Sequence, residues 1–239
     1  DVYKRQCFRN AVAWEVKSQR MKSELITNVS HDLKTPLTSI SGFAEIMRDG
    51  MVKPEDIKKF ADRIFQEAQR LITLVNDVIK ISQLDEGGIP YQKEDVDLFQ
   101  MAQEILDHLR PEAEKNGIKL RLNGDHAVRY MEKPIFEEVL YNLCDNAIRY
   151  NRKGGIVSVR IRQDENETRI SVKDTGIGIP AEDLPRIFEK GFTGYNGREN
   201  KKSTGIGLYL CKNIMDKLQW NITVDSEVGS GTKIYLTKM

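Results

Sequence analysis

A chain of 239 residues, 39% hydrophobic and 31% charged, has room for one or two domains and a sizeable core. Its 37 Lys and Arg against 36 Asp and Glu leave a formal charge of +1, without the basic excess that a nucleic-acid surface needs. Cys7, Cys144 and Cys211 form no CxxC pair, which argues against a zinc site and fits a reducing compartment, and no run of about 18 apolar residues predicts a membrane span or a signal peptide.

Asp1-Val2-Tyr3-Lys4-Arg5-Gln6 is the translation of a transposon end used in preparing sequencing libraries, so residues 1–6 are read as an artefact and carry no weight. The helical pattern then runs from Phe8 to Met47 and stops at Asp49-Gly50, before Lys53-Pro54 restarts it. The second helix, Pro54 to about Leu84, carries Ala61, Ile64, Ala68, Leu71, Val75, Val78 and Ser82 at alternating three-and-four spacing, a coiled-coil seam. A hairpin of two such helices cannot bury both seams alone, so a four-helix bundle made by a homodimer is expected.

Within the first helix the apolar stripe is Val29, Leu33, Leu37, Ile40, Ala44 and Met47, and His31 projects roughly 200° away from Val29 and Leu33, toward solvent. Asp32 beside it can take a proton from one ring nitrogen and leave the other nitrogen's lone pair to attack an electrophile. Pro36 removes a backbone donor one turn later and is expected to bend or loosen the helix there.

Asp85 to Pro90 reads as a linker, and a second domain begins near Tyr91. Phe99 to Lys115 and Lys133 to Tyr150 predict amphipathic helices, and Ile118–Leu122, Ile156–Gln163, Thr168–Lys173, Asn221–Val224 and Lys233–Leu236 predict strands, hence an α+β sandwich.

Three elements of this domain converge on nucleotide chemistry. Asn142 and Asn146 lie one turn apart on a helix, where amide oxygens suit a Mg2+ ion shared with phosphates, and Arg149 can pair with a phosphate oxygen. Asp174 precedes the Gly176-Ile177-Gly178 turn after a strand and can accept from an adenine amino group. Ser203-Thr204-Gly205-Ile206-Gly207-Leu208 opens a helix whose backbone N–H groups can approach an anion.

With these elements in this order, Ile187-Phe188-Glu189 between them and Gly229-Ser230-Gly231-Thr232 after them, residues 14 to 239 resemble a bacterial two-component sensor histidine kinase core, with a flavour of the phosphate-regulon type. Ser30 to Leu37 is similar to that family's phosphoacceptor box, Asn142 to Tyr150 to its asparagine box, and Asp174–Gly178 and Gly205–Gly207 to its two glycine boxes. The resemblance implies a dimerisation and phosphotransfer domain over 7–88 and a Bergerat-type ATPase domain over 91–239. It implies transfer of the ATP γ-phosphoryl to His31, with Asp32 as base, and onward to a response-regulator aspartate. It also implies nucleotide contacts from Tyr150, Phe192, Thr204, Leu208 and Thr232.

Two positions depart from the family pattern. Thr193 stands where the phenylalanine box usually has Arg, so Lys190 or Arg198 is expected to supply the cation, and Lys202-Ser203 replaces a further glycine, so Lys201 or Lys202 is expected to reach the phosphates. Gly191 to Ser203 has the composition of a lid.

Thr35, one turn past His31, is a candidate for orienting water in regulator dephosphorylation, against the plainer reading that it merely precedes Pro36. Two other classes compete: an ATP-driven chaperone, topoisomerase or mismatch-repair protein, and a scaffold with a dead ATP site. The former usually places a water-activating glutamate where Asn142 stands, and the latter leaves the filled polar positions unexplained. The family also implies a membrane-spanning sensor ahead of Cys7, which would make the chain a cytoplasmic fragment of a plasma-membrane protein.

Overall fold

The computed structural model describes residues 33–85, 92–194 and 205–239. His31, Asp32, Arg198, Lys201, Lys202 and Thr204 therefore lie outside the described residues. The chain divides into two compact units, one ending at Ser82 and the other beginning at Gln83.

The first unit is a helical hairpin. Helix α1 covers 33–48, continuing through Pro36, and α2 covers Ile57–Asp85 behind a single 3-10 turn, Pro54–Asp56. The anticipated stop at Asp49-Gly50 takes a definite form: Gly50 adopts φ +69°, its N–H donates to the Met47 carbonyl, and the Met51 N–H donates to that of Ile46. This Schellman arrangement satisfies the helix's last carbonyls and turns the chain back. Phe43 of α1 then meets Phe60 of α2 edge to face, ring centroids 5.6 Å apart.

Of the expected seam on α2, Ile64, Ala68, Leu71 and Val78 are part-buried in the single chain and Ala61 and Val75 are exposed, while half-buried Phe60 and fully buried Leu74 also turn inward. A second stripe, Phe65, Ile72, Val75 and Ile79, stays exposed at heptad spacing. The single regular seam read from the sequence is two stripes because a helix in a bundle meets neighbours on two sides.

The second unit runs β1 (Glu94–Asp97), α3 (Leu98–Lys115), β2 (Lys119–Gly124), β3 (Val128–Met131), α4 (Lys133–Arg149), β4 (Ile156–Gln163), β5 (Thr168–Asp174), α5 (Gly207–Leu218), β6 (Asn221–Glu227) and β7 (Gly231–Lys238), with a 3-10 turn at Leu184–Arg186 before α5. Five strands form one sheet in the order β2-β4-β5-β7-β6, parallel between β2 and β4 and antiparallel elsewhere. Strand alternation turns Val157, Val159, Ile161, Ile170, Val172, Ile234 and Leu236 inward, where they meet buried residues of the three helices, among them Leu106, Phe136, Leu140, Leu143, Leu210 and Ile214. Phe136 and Trp220 close this core, ring centroids 4.8 Å apart. Cys144 and Cys211 are fully buried here, and burial pushes the Cys144 thiol up to about 12.

The small antiparallel pair β1–β3 was not anticipated from the sequence. Glu-Asp-Val-Asp carries three carboxylates, and only pairing with β3, which buries Val96 and Met131, makes it a strand. Asp97 ends β1 and caps α3, its Oδ1 accepting from the Phe99 and Gln100 amides at 2.9 and 3.2 Å, while its Oδ2 lies 2.6 Å from His126 Nδ1. Burial tends to raise the Asp97 pKa, but the His126 hydrogen bond and the two amides outweigh it and hold the carboxyl below its ordinary value.

Asp97→Ala should cost about 1 kcal/mol in a denaturant melt, with Asp97→Asn recovering most of it. Because the folded-state pKa is lowered, that contribution is present above the ordinary carboxylate range and is lost as pH falls through the lowered value, so parent and Asp97→Ala should converge in stability in acid.

Candidate nucleotide site

Strand β5 delivers Asp174 to the end of the sheet's central strand, where it is 7% exposed. Its Oδ1 accepts from the Gly176 N–H at 2.7 Å and from the Thr232 N–H at 3.1 Å. Oδ2 has no protein partner among the described residues and is open to a donor. Burial raises the Asp174 pKa, against the lowering effect of the two amides and of the Lys173 charge. One buried oxygen fixed by two amides and one left open is how a fold presents a single acceptor to a ligand amino group.

Glycine is required in the turn that follows. A Cβ at Gly176 would strike the Tyr150 carbonyl and crowd Asp174 Oδ1, and Gly178 has φ +73° with the Glu227 carbonyl directly behind it. The turn is held from the α4–β4 connection: the Tyr150 carbonyl accepts from Ile177 N–H at 3.1 Å, and Thr175 N–H donates to the Ile156 carbonyl at 3.1 Å. Arg152 was missed in the sequence. Its Nε donates to the Thr175 carbonyl at 2.6 Å and its Nη2 to the Gly229 carbonyl at 2.9 Å, stapling the Asp174 turn to the β6–β7 turn. Ser226 completes the support, accepting from Ile179 N–H at 2.9 Å and lying 2.8 Å from the Thr232 hydroxyl.

Helix α4 supplies the asparagines. Asn142 donates its Nδ2 to the Glu138 carbonyl at 3.0 Å and to Glu138 Oε1 at 2.9 Å, and its Oδ1 lies 3.5 Å from where a Cβ on Gly207 would stand. The asparagine helix and the second glycine element therefore meet at Gly207. The Asn146 side-chain amide has no hydrogen-bond partner among the described residues. Arg149 is already engaged, its Nη2 donating to Asp145 Oδ2 at 2.6 Å on the same helix, so the expected phosphate pairing would require it to leave this partner. Tyr150 caps α4, and the contact described for it is through its backbone.

Helix α5 begins at Gly207-Leu208, and its N-cap residue, Ile206, makes no side-chain cap hydrogen bond; the positive end of such a helix suits an anion. Gly205 is tied to the preceding loop by the Gly191 N–H at 3.0 Å. Lys190, a candidate for the missing cation, buries its Nζ 5.6 Å from the centre of the Tyr209 ring at the start of α5. Phe192 lies beneath the Arg186 guanidinium at 4.5 Å, and Arg186 also pairs with Glu189 at 3.0 Å.

Among the described residues no cluster of three or more His, Cys, Asp or Glu side chains could hold a metal. A Mg2+ ion here would need the phosphates themselves as ligands, which the uncommitted amide of Asn146 suits.

Residues 131–238 match the family described as histidine kinase-, DNA gyrase B- and HSP90-like ATPase, and residues 21–87 match the His Kinase A (phospho-acceptor) domain. The chain carries the two domains of a histidine kinase core. The sensor protein SrrB of Staphylococcus aureus is 32% identical over 222 residues, covering 89% of this chain. The chain spans 37% of that curated relative's length. Two solved structures share the fold. The Acinetobacter baumannii histidine kinase AdeS is 22% identical with a TM-score of 0.70, covering 87% of this chain and 96% of that one. Histidine kinase ThkA, solved in complex with the response regulator protein TrrA, is 22% identical with a TM-score of 0.73, covering 94% of this chain and 65% of that one.

Asp174→Asn should weaken ATP and adenosine alike, whereas Asn146→Ala should remove magnesium-dependent ATP binding and leave adenosine affinity within about twofold. Titration calorimetry with both ligands separates them; equal losses of adenosine affinity would overturn the division. Adenosine affinity of the parent should fall as pH drops through a value above the ordinary carboxylate range, since only the ionised Asp174 is an unconditional acceptor, and Asp174→Asn should lack that dependence.

Proposed function

We propose that this chain is an autophosphorylating protein-histidine kinase that passes its phosphoryl group to a response-regulator aspartate. The observation that carries the reading is Asp174, its Oδ1 held by the Gly176 and Thr232 amides and its Oδ2 open, at the head of a site that also brings Asn142 to the start of α5 at Gly207. Adenine would be held by Asp174 and the phosphates by Asn146, Gly205, Gly207 and Leu208. Mg2+, when bound, would screen the charge on the transferring phosphoryl group. A ring nitrogen of His31 attacks the γ-phosphorus as the bond to the ADP oxygen breaks, and Asp32 takes the proton from the other ring nitrogen. The N–P bond then breaks as the regulator's carboxylate oxygen bonds phosphorus.

The remaining roles extend the same reading. Lys190 or Arg198 supplies the cation that Thr193 lacks, and Lys202 and Thr204 reach the phosphates. The exposed stripe Phe65, Ile72, Val75 and Ile79 is covered by the same stripe of a second copy, completing a four-helix bundle. Residues 7–88 act as the phosphotransfer domain and 91–239 as the ATPase domain. Among the described residues no helix is long and apolar enough to cross a membrane, and a membrane-spanning sensor belongs to an N-terminal region ahead of Cys7. The phosphate-regulon flavour is tested by asking which receiver domain accepts phosphoryl fastest.

His31→Ala, incubated with radiolabelled ATP and Mg2+, should stay unlabelled, and retained acid-labile label would refute the assignment. Asp32→Asn should slow labelling by about 100-fold while nucleotide affinity is kept, the scale of a lost general base.

Thr35→Ala should leave labelling of His31 within a few-fold of the parent, while phosphorylated regulator persists in its presence. Equal decay of the regulator with mutant and parent removes the phosphatase role from Thr35.

A further inference from the structure

The outer face of the five-stranded sheet has a charge pattern that nucleotide binding does not use. On β2, β4 and β5 the outward cations are Lys119, Arg121, Arg160, Arg162, Arg169 and Lys173, and the other outward positions within these strands' alternation are Asn123, Ser158, the buried Ser171 and the part-buried Ile156, which lies across from Lys119. All six cations are exposed, and no carboxylate shares those three strands' outward positions. Only Arg169 among them has a salt bridge with a described residue, to Glu167 at 2.7 Å. The outward carboxylates, Asp225 and Glu227, lie on β6, at the opposite edge.

One pair makes the pattern costly to the fold itself. Arg162 stands directly across from Arg169 between β4 and β5, whereas Lys173 stands across from Lys233, which on its other side faces Asp225 of β6. Like charges opposite one another destabilise a sheet. In a chain whose charges otherwise nearly cancel, six cations gathered on one face, with Arg162 set directly against Arg169, indicate an anionic partner.

We propose that this face docks on the surface of an anionic lipid bilayer. Six exposed point charges, with the part-buried Ile156 as the one apolar side chain among the outward positions of β2, β4 and β5, match mobile headgroups that rearrange beneath them, and no peptide groove is offered. The one aromatic nearby, Tyr235, has its ring covered by the Lys233 ammonium at 4.6 Å, so it is no stacking platform for nucleic-acid bases. The inference is independent of the kinase reading.

The test is sedimentation of the full chain with vesicles of phosphatidylglycerol and phosphatidylcholine, and with phosphatidylcholine alone, at about 0.1 M salt, where the Debye length is about 10 Å. The chain should pellet with the anionic vesicles only and be released at about 1 M salt. Each cation contributes about fivefold to partitioning, so Arg160→Glu/Arg162→Glu, a change of four charges, should lower it by at least about 100-fold. Arg162→Glu alone turns a like-charge pair into an opposite one, so its thermal midpoint should equal or exceed the parent's while vesicle binding falls. Arg162→Gln serves if the double variant fails to fold. Absence of pelleting with anionic vesicles, undiminished binding by the folded variants, or tighter binding to a DNA or RNA oligonucleotide at the same salt would each overturn the proposal.

Discussion

Asp174 Oδ1 receives two backbone amides from opposite directions, Gly176 from the turn that follows β5 and Thr232 from β7. Much else in the second unit arranges itself around that requirement. The Asp174 strand must be internal to the sheet so that β7 lies against it, the turn after it must contain glycine so that the chain can double back under the Tyr150 carbonyl, and the α4–β4 connection must stay close enough to hold that turn. Burial penalises the ionised form of this carboxylate and raises its pKa, and its two amides offset part of that cost at one oxygen while leaving the other to a ligand.

The motif residues were legible because their chemistry is local. Asp174 with Gly176 and Gly178, Asn142 with Asn146, and Gly205 with Gly207 announce themselves through side-chain type and spacing, and the structure brings the asparagine helix and the second glycine element together at Gly207. Most of the main sheet and the three helices were equally legible, since alternation and three-and-four periodicity are strong over seven or more residues. β1 and β3 were not, being four residues each and made strands by pairing with one another.

Arg152 was invisible for a different reason. It recognises carbonyl oxygens 23 and 77 residues away, and a backbone carbonyl leaves no mark on the identity of the residue that owns it. Asp145 similarly redirected Arg149, a partner on the same helix competing with the ligand the spacing suggested. On α2 the hairpin interior keeps Ile64, Leu71 and Val78 of the regular seam but adds Phe60 and Leu74, which are bulkier than the neighbouring Ala61 and Val75. The sheet's cations escaped notice because whole-chain charge sums them with acids that lie elsewhere.

The strand order also dictates when the nucleotide site can come into being. β4–β5 and β6–β7 are local hairpins that can close early, but β5–β7 joins segments more than 50 residues apart, and the Thr232 amide reaches Asp174 across 58. Closing that loop is the entropically expensive step of assembling the sheet. Nucleotide affinity is therefore a property acquired late in folding, when the two hairpins meet, and a nucleotide held at Asp174 would latch a contact that spans 58 residues.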